Sequence, residues 1–344
     1  MPSGDREIAQ SIMAALSKNT QGLEVTLASQ LRCYDGQGQL QVQHKIRQQA
    51  DREIERLLNP ANEWCAWVTY HNYYKAPDLI GSVVSQQLNI PYILIEASIA
   101  KSRLDGPWSD FAVSADNATK AADVVFYLTE KDRVALAEHQ SDKQQLVHLA
   151  PFLAREELPV VQEKQAIGNK LLAVGMHRYG DKLESYKIIA KMLAFLQTPD
   201  WQLSIVGDGP ARAEIESMFA IYGKRVTFEG ELDRDAVAKA YQQASVFVWP
   251  GVNEAFGLVY LEAQAAGLPL VAQNRAGVRE VIASKRSLLP VGEPQSMAQT
   301  IDNLLANPEE YRSMVQTGRQ FVKERHLLGA ASDTLSAQLS AVLS

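Results

Sequence analysis

Short apolar runs that end in glycine, proline or a polar turn alternate along this chain with amphipathic stretches of ten or more residues. That alternation admits few folds. It is the pattern of βαβ units, in which parallel strands are joined by helical crossovers. The second half shows it most plainly, with strands expected at 171–175, 203–207, 226–230, 246–250, 269–272 and 287–290. Helices fit between them at about 183–197, 210–222, 233–243 and 258–266. Near-continuous apolar strands of this kind suit a parallel sheet covered on both faces.

The first half repeats the style, with strands expected at 23–28, 65–69, 92–96 and 124–128 and a short one near Val147. Helices are expected at about 5–18, 41–58, 77–88, 112–121 and 130–138, and consecutive helices over roughly 294–343. The polar stretch 151–169, which carries Pro159, reads as an interdomain connection. A length of 344 residues fits two domains. We place them at 1–160 and 161–325, with 326–344 as a closing helix. A doubly wound domain normally opens with a strand that lies in the middle of its sheet. Here a turn and a helix come first, so the first domain is expected to lack that central strand. Either translation starts upstream of Met1, the reading we favour, or the sheet is rearranged.

Composition narrows the function classes. Thirty-four basic side chains stand against 40 acidic ones, a net charge of −6. That disfavours a nucleic-acid partner or a strongly cationic membrane-surface protein. The two cysteines, Cys33 and Cys65, are far apart, which excludes a disulfide framework and a zinc ribbon and fits a reducing compartment. No apolar run approaches the ~18–20 residues that span a bilayer, and the polar first residues carry no signal-peptide pattern. A cytoplasmic location is expected, with peripheral contact at the inner membrane face left open. Helix 41–58 mixes Lys45, Arg47, Arg52 and Arg56 with Asp51, Glu53 and Glu55, which reads as a solvated face.

Three segments carry chemistry. In Glu254-Ala255-Phe256-Gly257-Leu258-Val259-Tyr260-Leu261-Glu262, two carboxylates flank a predicted helix N-terminus. Free backbone N–H groups and the positive dipole end can hold phosphate oxygens there. Gly257 lets the backbone approach an anion closely. Phosphate donors between two hydroxyl acceptors match the groups of a nucleotide sugar. The second segment, Val174-Gly175-Met176-His177-Arg178-Tyr179-Gly180-Asp181-Lys182, also joins a strand to a helix. It brings Arg178 and Lys182 to the sheet mouth, where two cations would hold a departing diphosphate. The third, Val206-Gly207-Asp208-Gly209-Pro210, is a tight turn that lacks the GxGxxG order of a dinucleotide fingerprint, with Gly207 near the nucleotide.

In order, these segments resemble the family 4 glycosyltransferases (glycosyl transferases group 1) of the GT-B fold. The match covers most of 170–282, including Val226-Thr227-Phe228-Glu229-Gly230 and the stretch from Glu262 through Pro269 to Glu280. The resemblance implies two Rossmann-like, doubly wound domains facing a cleft, with a nucleoside diphosphate sugar on the C-terminal one. It implies a retaining transfer to a hydroxyl acceptor; no Asp-x-Asp motif lies in a plausible loop, so no required metal is expected, and no cofactor. Carried onto this chain, Glu254 touches the donor sugar and Glu262 the ribose. The amides of Phe256, Gly257 and Leu258 serve the diphosphate, with Gly175 and Gly207 beside it. Lys182 takes the place of the family's phosphate-binding lysine. Met176 stands where the family has an arginine, and Arg178 is the candidate replacement. On the N-terminal side, Gly4 in Ser3-Gly4-Asp5 and His71 are the candidates, with Glu96 or Ser98 where many members carry a histidine. The alternatives are a catalytically impaired nucleotide-sugar-binding protein and a nucleotide-sugar epimerase.

Overall fold

The computed structural model describes residues 4–18, 22–161 and 167–344. They divide into two compact units. One holds the described residues up to Ala150 together with 331–344, and the other holds 151–330.

The first unit opens with two helices, α1 (Gly4–Lys18) and α2 (Leu40–Leu57). Alternating strands and helices follow: β1 (Trp67–Asn72), α3 (Gly81–Leu88), β2 (Tyr92–Ala97), α4 (Ser109–Ala121), β3 (Val124–Tyr127), α5 (Glu130–Ala137) and β4 (Gln145–His148). All pairings are parallel and run in simple sequence order, β1-β2-β3-β4. Ile93, Leu94 and Ile95 are buried, as are Val124, Val125 and Phe126, so both sheet faces are covered. Asp78 starts α3, accepting the backbone N–H of Ile80 and Gly81 at 2.9 and 2.8 Å. Its other oxygen accepts the hydroxyls of Thr69 and Tyr92. Ser332 donates to the Ala15 carbonyl at 2.7 Å, which fixes the end of the chain against α1.

One expected strand is absent. Residues 23–28 run without strand pairing, and Leu27 is 63% exposed. The alternation of Leu23, Val25 and Leu27 imitates a half-buried strand. A strand, however, exists only where a neighbour takes its N–H and C=O groups. In the four-stranded sheet, β1 is an outer strand and none of its pairings involves 23–28. Arg56 instead donates to the Ala28 carbonyl at 2.6 Å.

Asp35 ties three segments together. Its carboxylate accepts the backbone N–H groups of Gln37, Gly38 and Gln39 and the side-chain amide of Gln43. Its own N–H donates to the Lys75 carbonyl at 2.9 Å, and its carbonyl accepts the Trp108 indole N–H at 3.0 Å. Burial alone would raise this carboxyl, but the Gln43 amide and the three backbone donors hold it below the usual carboxylate range.

The second unit contains β5 (Lys170–Val174), α6 (Asp181–Leu193), β6 (Gln202–Val206), α7 (Arg212–Phe219), β7 (Val226–Gly230), α8 (Arg234–Gln243) and β8 (Val246–Val248). Then come α9 (Leu258–Ala265), β9 (Leu270–Gln273), β10 (Leu288–Leu289), α10 (Pro294–Ala306) and α11 (Pro308–Arg325), while α12 (Leu328–Leu343) belongs from Ala331 onward to the first unit. The helix expected over 210–222 ends at Phe219 and tightens into a 3₁₀ segment, Ala220–Arg225, broken by Gly223 at φ +53. The sheet is parallel, in the order β10-β9-β8-β5-β6-β7. Its central strands are buried along most of their length, as a sheet with helices on both faces requires. Phe247, Trp249 and Tyr260 are fully buried beside it. A buried side chain of this kind contributes about 1.5–3 kcal/mol. Among the described residues, no helix is long and apolar enough to cross a membrane.

Two outcomes follow from the first unit. Burial, with Asp78 nearby, pushes the Cys33 thiol up to about 11, whereas Cys65 is exposed. Iodoacetamide at pH 8 should therefore label Cys65 and spare Cys33, as read by peptide mass spectrometry. Asp35 is held below its unfolded pKa of about 3.9, so its contribution is complete above that pH and fades as pH falls through the folded value. Asp35→Asn should lose about 1–3 kcal/mol in urea unfolding at pH 7. The gap to wild type should narrow steadily below about pH 4.

Candidate functional site

The strand order of the second sheet reverses between β5 and β8, where a parallel sheet opens a crevice beyond its carboxyl ends. The loop 175–180 leaves β5 on one side of this point, and the loop 249–257 leaves β8 on the other. Two of the three segments singled out in the sequence are therefore neighbours in space. The third, 207–210, leaves β6 next to β5.

Contacts between the loops fix their shape. Gly175 donates its N–H to the Val206 carbonyl at 3.0 Å, and its own carbonyl accepts the Tyr186 hydroxyl at 2.7 Å. His177 donates its backbone N–H to the Asp208 carbonyl at 2.9 Å. Gly207 has φ +136, and a Cβ there would stand 2.0 Å from the Gly175 carbonyl oxygen, so only glycine fits this crossing. Across the crevice, Val252 donates to the Ser185 hydroxyl at 3.1 Å and Asn253 to the Asp181 carboxylate at 3.1 Å. The start of α6 therefore anchors the loop that carries Glu254.

At the centre, Lys182 donates its ammonium to Oε1 of Glu254, and the Trp249 indole N–H donates to the same oxygen at 2.9 Å. Lys182 also lies 5.4 Å from the Trp249 ring centroid. Trp249 is wedged edge-on against Tyr186, with centroids 5.1 Å apart. The Glu254 side chain is 13% exposed and that of Lys182 26%. Both donors converge on Oε1, and Oε2 has no hydrogen-bond partner among the described residues.

Three residues on, Gly257 caps α9 with φ +79. The first turn closes through Tyr260 N–H to the Gly257 carbonyl at 3.2 Å. The N–H groups of Phe256, Gly257 and Leu258 take no backbone partner among the described residues. They form an anion-ready helix start beside the Glu254–Lys182 pair. On the next turn, Glu262 accepts the Tyr241 hydroxyl at 2.9 Å. Burial, and then the Glu262 charge, hold the Tyr241 phenol well above its ordinary range, so it stays a donor.

Of the sequence candidates, Lys182 and Glu254 meet directly, with Gly175, Gly207, Phe256, Gly257, Leu258 and Glu262 on the surrounding loops and on α9. Arg178 is exposed on the 175–180 loop and does not enter this contact. His177 has no exposed surface; its ring lies edge-on to Tyr186 and Phe228, and neither nitrogen has a hydrogen-bond partner. Burial, only partly opposed by Asp208, lowers its pKa. Gly4 is the first residue of α1 rather than part of a loop, and Ser3 lies outside the described residues. His71 and Glu96 belong to the first unit, at the ends of β1 and β2. His71 stacks on Tyr73 at 4.6 Å. Sequence reasoning missed Trp249 and Tyr241 as site residues. For Trp249 a signal existed, an indole placed directly between a strand and the Pro250-Gly251 break. For Tyr241 there was none, because its contact with Glu262 joins two helices 21 positions apart.

Comparison with known proteins bears on the fold and on the stretch that carries these loops. Residues 160–321 match the family described as glycosyl transferases group 1. A sulfoquinovosyl transferase of Arabidopsis thaliana is 28% identical over 150 residues, covering 42% of this chain and 29% of that protein. An alpha-D-kanosaminyltransferase of Streptomyces kanamyceticus is 25% identical over 304 residues, covering 84% of this chain and 78% of that protein. Among solved structures, Anabaena HepE in complex with UDP superposes with a TM-score of 0.68 at 16% identity, covering 84% of this chain and 82% of that one. Two parallel α/β sheets and the likeness to solved structures show the GT-B fold, and within it residues 160–321, the stretch that carries Gly175, Lys182, Glu254 and the α9 start, match the glycosyl transferases group 1.

Proposed function

We propose that this protein moves a sugar from a nucleoside diphosphate sugar to a hydroxyl acceptor, with retention of the anomeric configuration. The observation that carries the reading is the Lys182–Glu254–Trp249 cluster beside the free N–H groups of the α9 start. The cluster offers a positive charge, a carboxylate oxygen turned away from its protein donors, and a helix N-terminus, within one crevice. Those are the groups that a diphosphate and a sugar hydroxyl require. UDP in the HepE structure supports a uridine nucleotide as the first donor class to try.

In this reading the diphosphate rests on the amides of Phe256, Gly257 and Leu258, where the helix dipole favours negative charge. Lys182 and Arg178 neutralise the charge that develops as the bond from the anomeric carbon to the diphosphate oxygen breaks. Glu254 accepts a sugar hydroxyl through Oε2 while Trp249 and Lys182 hold Oε1. The Trp249 bond fixes the carboxylate before the donor arrives, so little reorganisation accompanies the reaction. Glu262, oriented by Tyr241, accepts from the ribose hydroxyls. The acceptor oxygen bonds to the anomeric carbon on the face the diphosphate leaves, and its proton passes to the departing diphosphate oxygen. No metal or cofactor is assigned a part in this scheme.

A thermal-shift series with UDP-, GDP- and ADP-sugars should give one stabilising class, because a ligand of the native state raises its melting temperature. With the donor found, Glu254→Gln should lower kcat about 100-fold or more. The amide oxygen of that variant still accepts from Trp249, so Tm should move by only a few degrees. Lys182→Ala should mainly weaken UDP binding, measured by calorimetry. Unchanged turnover in Glu254→Gln, or no nucleotide sugar that stabilises the chain, would sink this reading.

A further inference from the structure

The carboxyl ends of β1 and β2 carry a second constellation, in the first unit. His71 and Glu96 have φ of +69 and +61. They sit opposite each other, between the register pairs Tyr70–Ile95 and Asn72–Ala97. Left-handed backbone at two facing non-glycine positions is unfavourable, typically by about 1 kcal/mol or more each, and such strain gathers where a site must be shaped. Beyond β1 the chain folds back through Tyr73 and Ala76, which bond to each other in both directions, so Tyr74 and Lys75 occupy the tip of a tight turn.

The rings there are continuous. His71 stacks on Tyr73, Tyr73 meets Tyr74 edge-on at 5.8 Å, and Tyr74 meets Trp108 edge-on at 5.7 Å. Two cations share the last pair. Lys75 Nζ lies 5.6 Å from both ring centroids, and the Arg103 guanidinium lies 5.4 and 5.5 Å from them. Those distances keep the two charges within about 10 Å of each other, roughly one screening length in ordinary salt. Neither has a carboxylate partner among the described residues; the neighbouring Lys101, by contrast, is paired with Glu138.

The platform is built on a rigid base. Asp35 holds the turn through the Lys75 carbonyl and holds Trp108 through its indole N–H. Fully buried Gln43 bridges Asp35 to the Pro107 carbonyl. Two like charges fixed on one aromatic corner repel each other, and cation–π attraction returns only ~0.5–1 kcal/mol apiece at exposed sites. An anion shared between them removes that repulsion, while adjacent ring faces suit the C–H face of a pyranose.

We propose that this rim binds an anionic sugar, with Lys75 and Arg103 holding its carboxylate or phosphate and Tyr73, Tyr74 and Trp108 packing on its ring. As the acceptor's binding site it rests on the glycosyl-transfer reading above; as a binding site alone it does not.

Calorimetric titration of the full chain separates the ideas, with glucuronic acid, glucose 6-phosphate, glucose and inorganic phosphate as probes. One or both sugar acids should bind about tenfold or more tighter than glucose and than phosphate alone, and which acid binds tells carboxylate from phosphate. Lys75→Ala and Arg103→Ala should each lose about tenfold, Lys75→Arg should retain binding, and UDP affinity should be unchanged in all three. Equal binding of glucose, phosphate as tight as the sugar phosphate, no saturable binding of either sugar acid, or a preference that survives the double substitution would each overturn the proposal. So would loss of sugar-acid binding alongside tight, Lys75- and Arg103-dependent association with phosphatidylglycerol vesicles, which would make the rim a membrane contact. Sugar-acid binding without any UDP binding would support this site and count against the glycosyl-transfer reading.

Discussion

The strand-order reversal between β5 and β8 is the constraint on which the second unit's chemistry depends. In a parallel sheet every strand delivers its following loop to the same edge. Only where the order turns back do two such loops part and leave a crevice between them. Here those loops lead to Lys182 and Glu254, 72 positions apart in the chain. Their meeting follows from topology before any side-chain preference acts.

Within that crevice, rigidity comes from apolar packing as much as from charge. Trp249 is buried against Tyr186, and Tyr186 hydrogen-bonds to the Gly175 carbonyl at the end of β5. One aromatic pair therefore sets both the height of the 175–180 loop and the direction of the indole N–H that Glu254 accepts. The attraction within a sheltered ion pair is largely offset by the loss of water around both charges. The Lys182–Glu254 contact is better understood as placing two groups than as holding the fold.

Most of the second unit was legible because its strands announce themselves: Val246-Phe247-Val248 is apolar throughout and stops at Pro250-Gly251, and each neighbouring strand has a similar stop. Lys182, Glu254 and the α9 start were legible because each lies in or beside a strand-to-helix loop, where side chains face a sheet mouth. The first unit was less readable at 23–28. Periodicity reports which residues could line a face, but pairing depends on whether another strand lies alongside, and that is a tertiary fact. Tyr241 and His177 were hidden for the same reason. Their surroundings are assembled from α8 and α9 in one case, and from α6 and β7 in the other. The aromatic corner of Tyr74 and Trp108 joins segments that nothing in the local sequence links.

His177 has a consequence for the loop it sits in. A histidine in an anion-facing turn would ordinarily act as a titrating charge. This ring is sealed between Tyr186 and Phe228 and its pKa is lowered by burial, so at neutral pH it is an uncharged wedge. Any anion that meets the 175–180 loop at neutral pH therefore meets no imidazolium there. The imidazole works there as packing that sets the shape of the turn, and it adds no charge of its own at neutral pH.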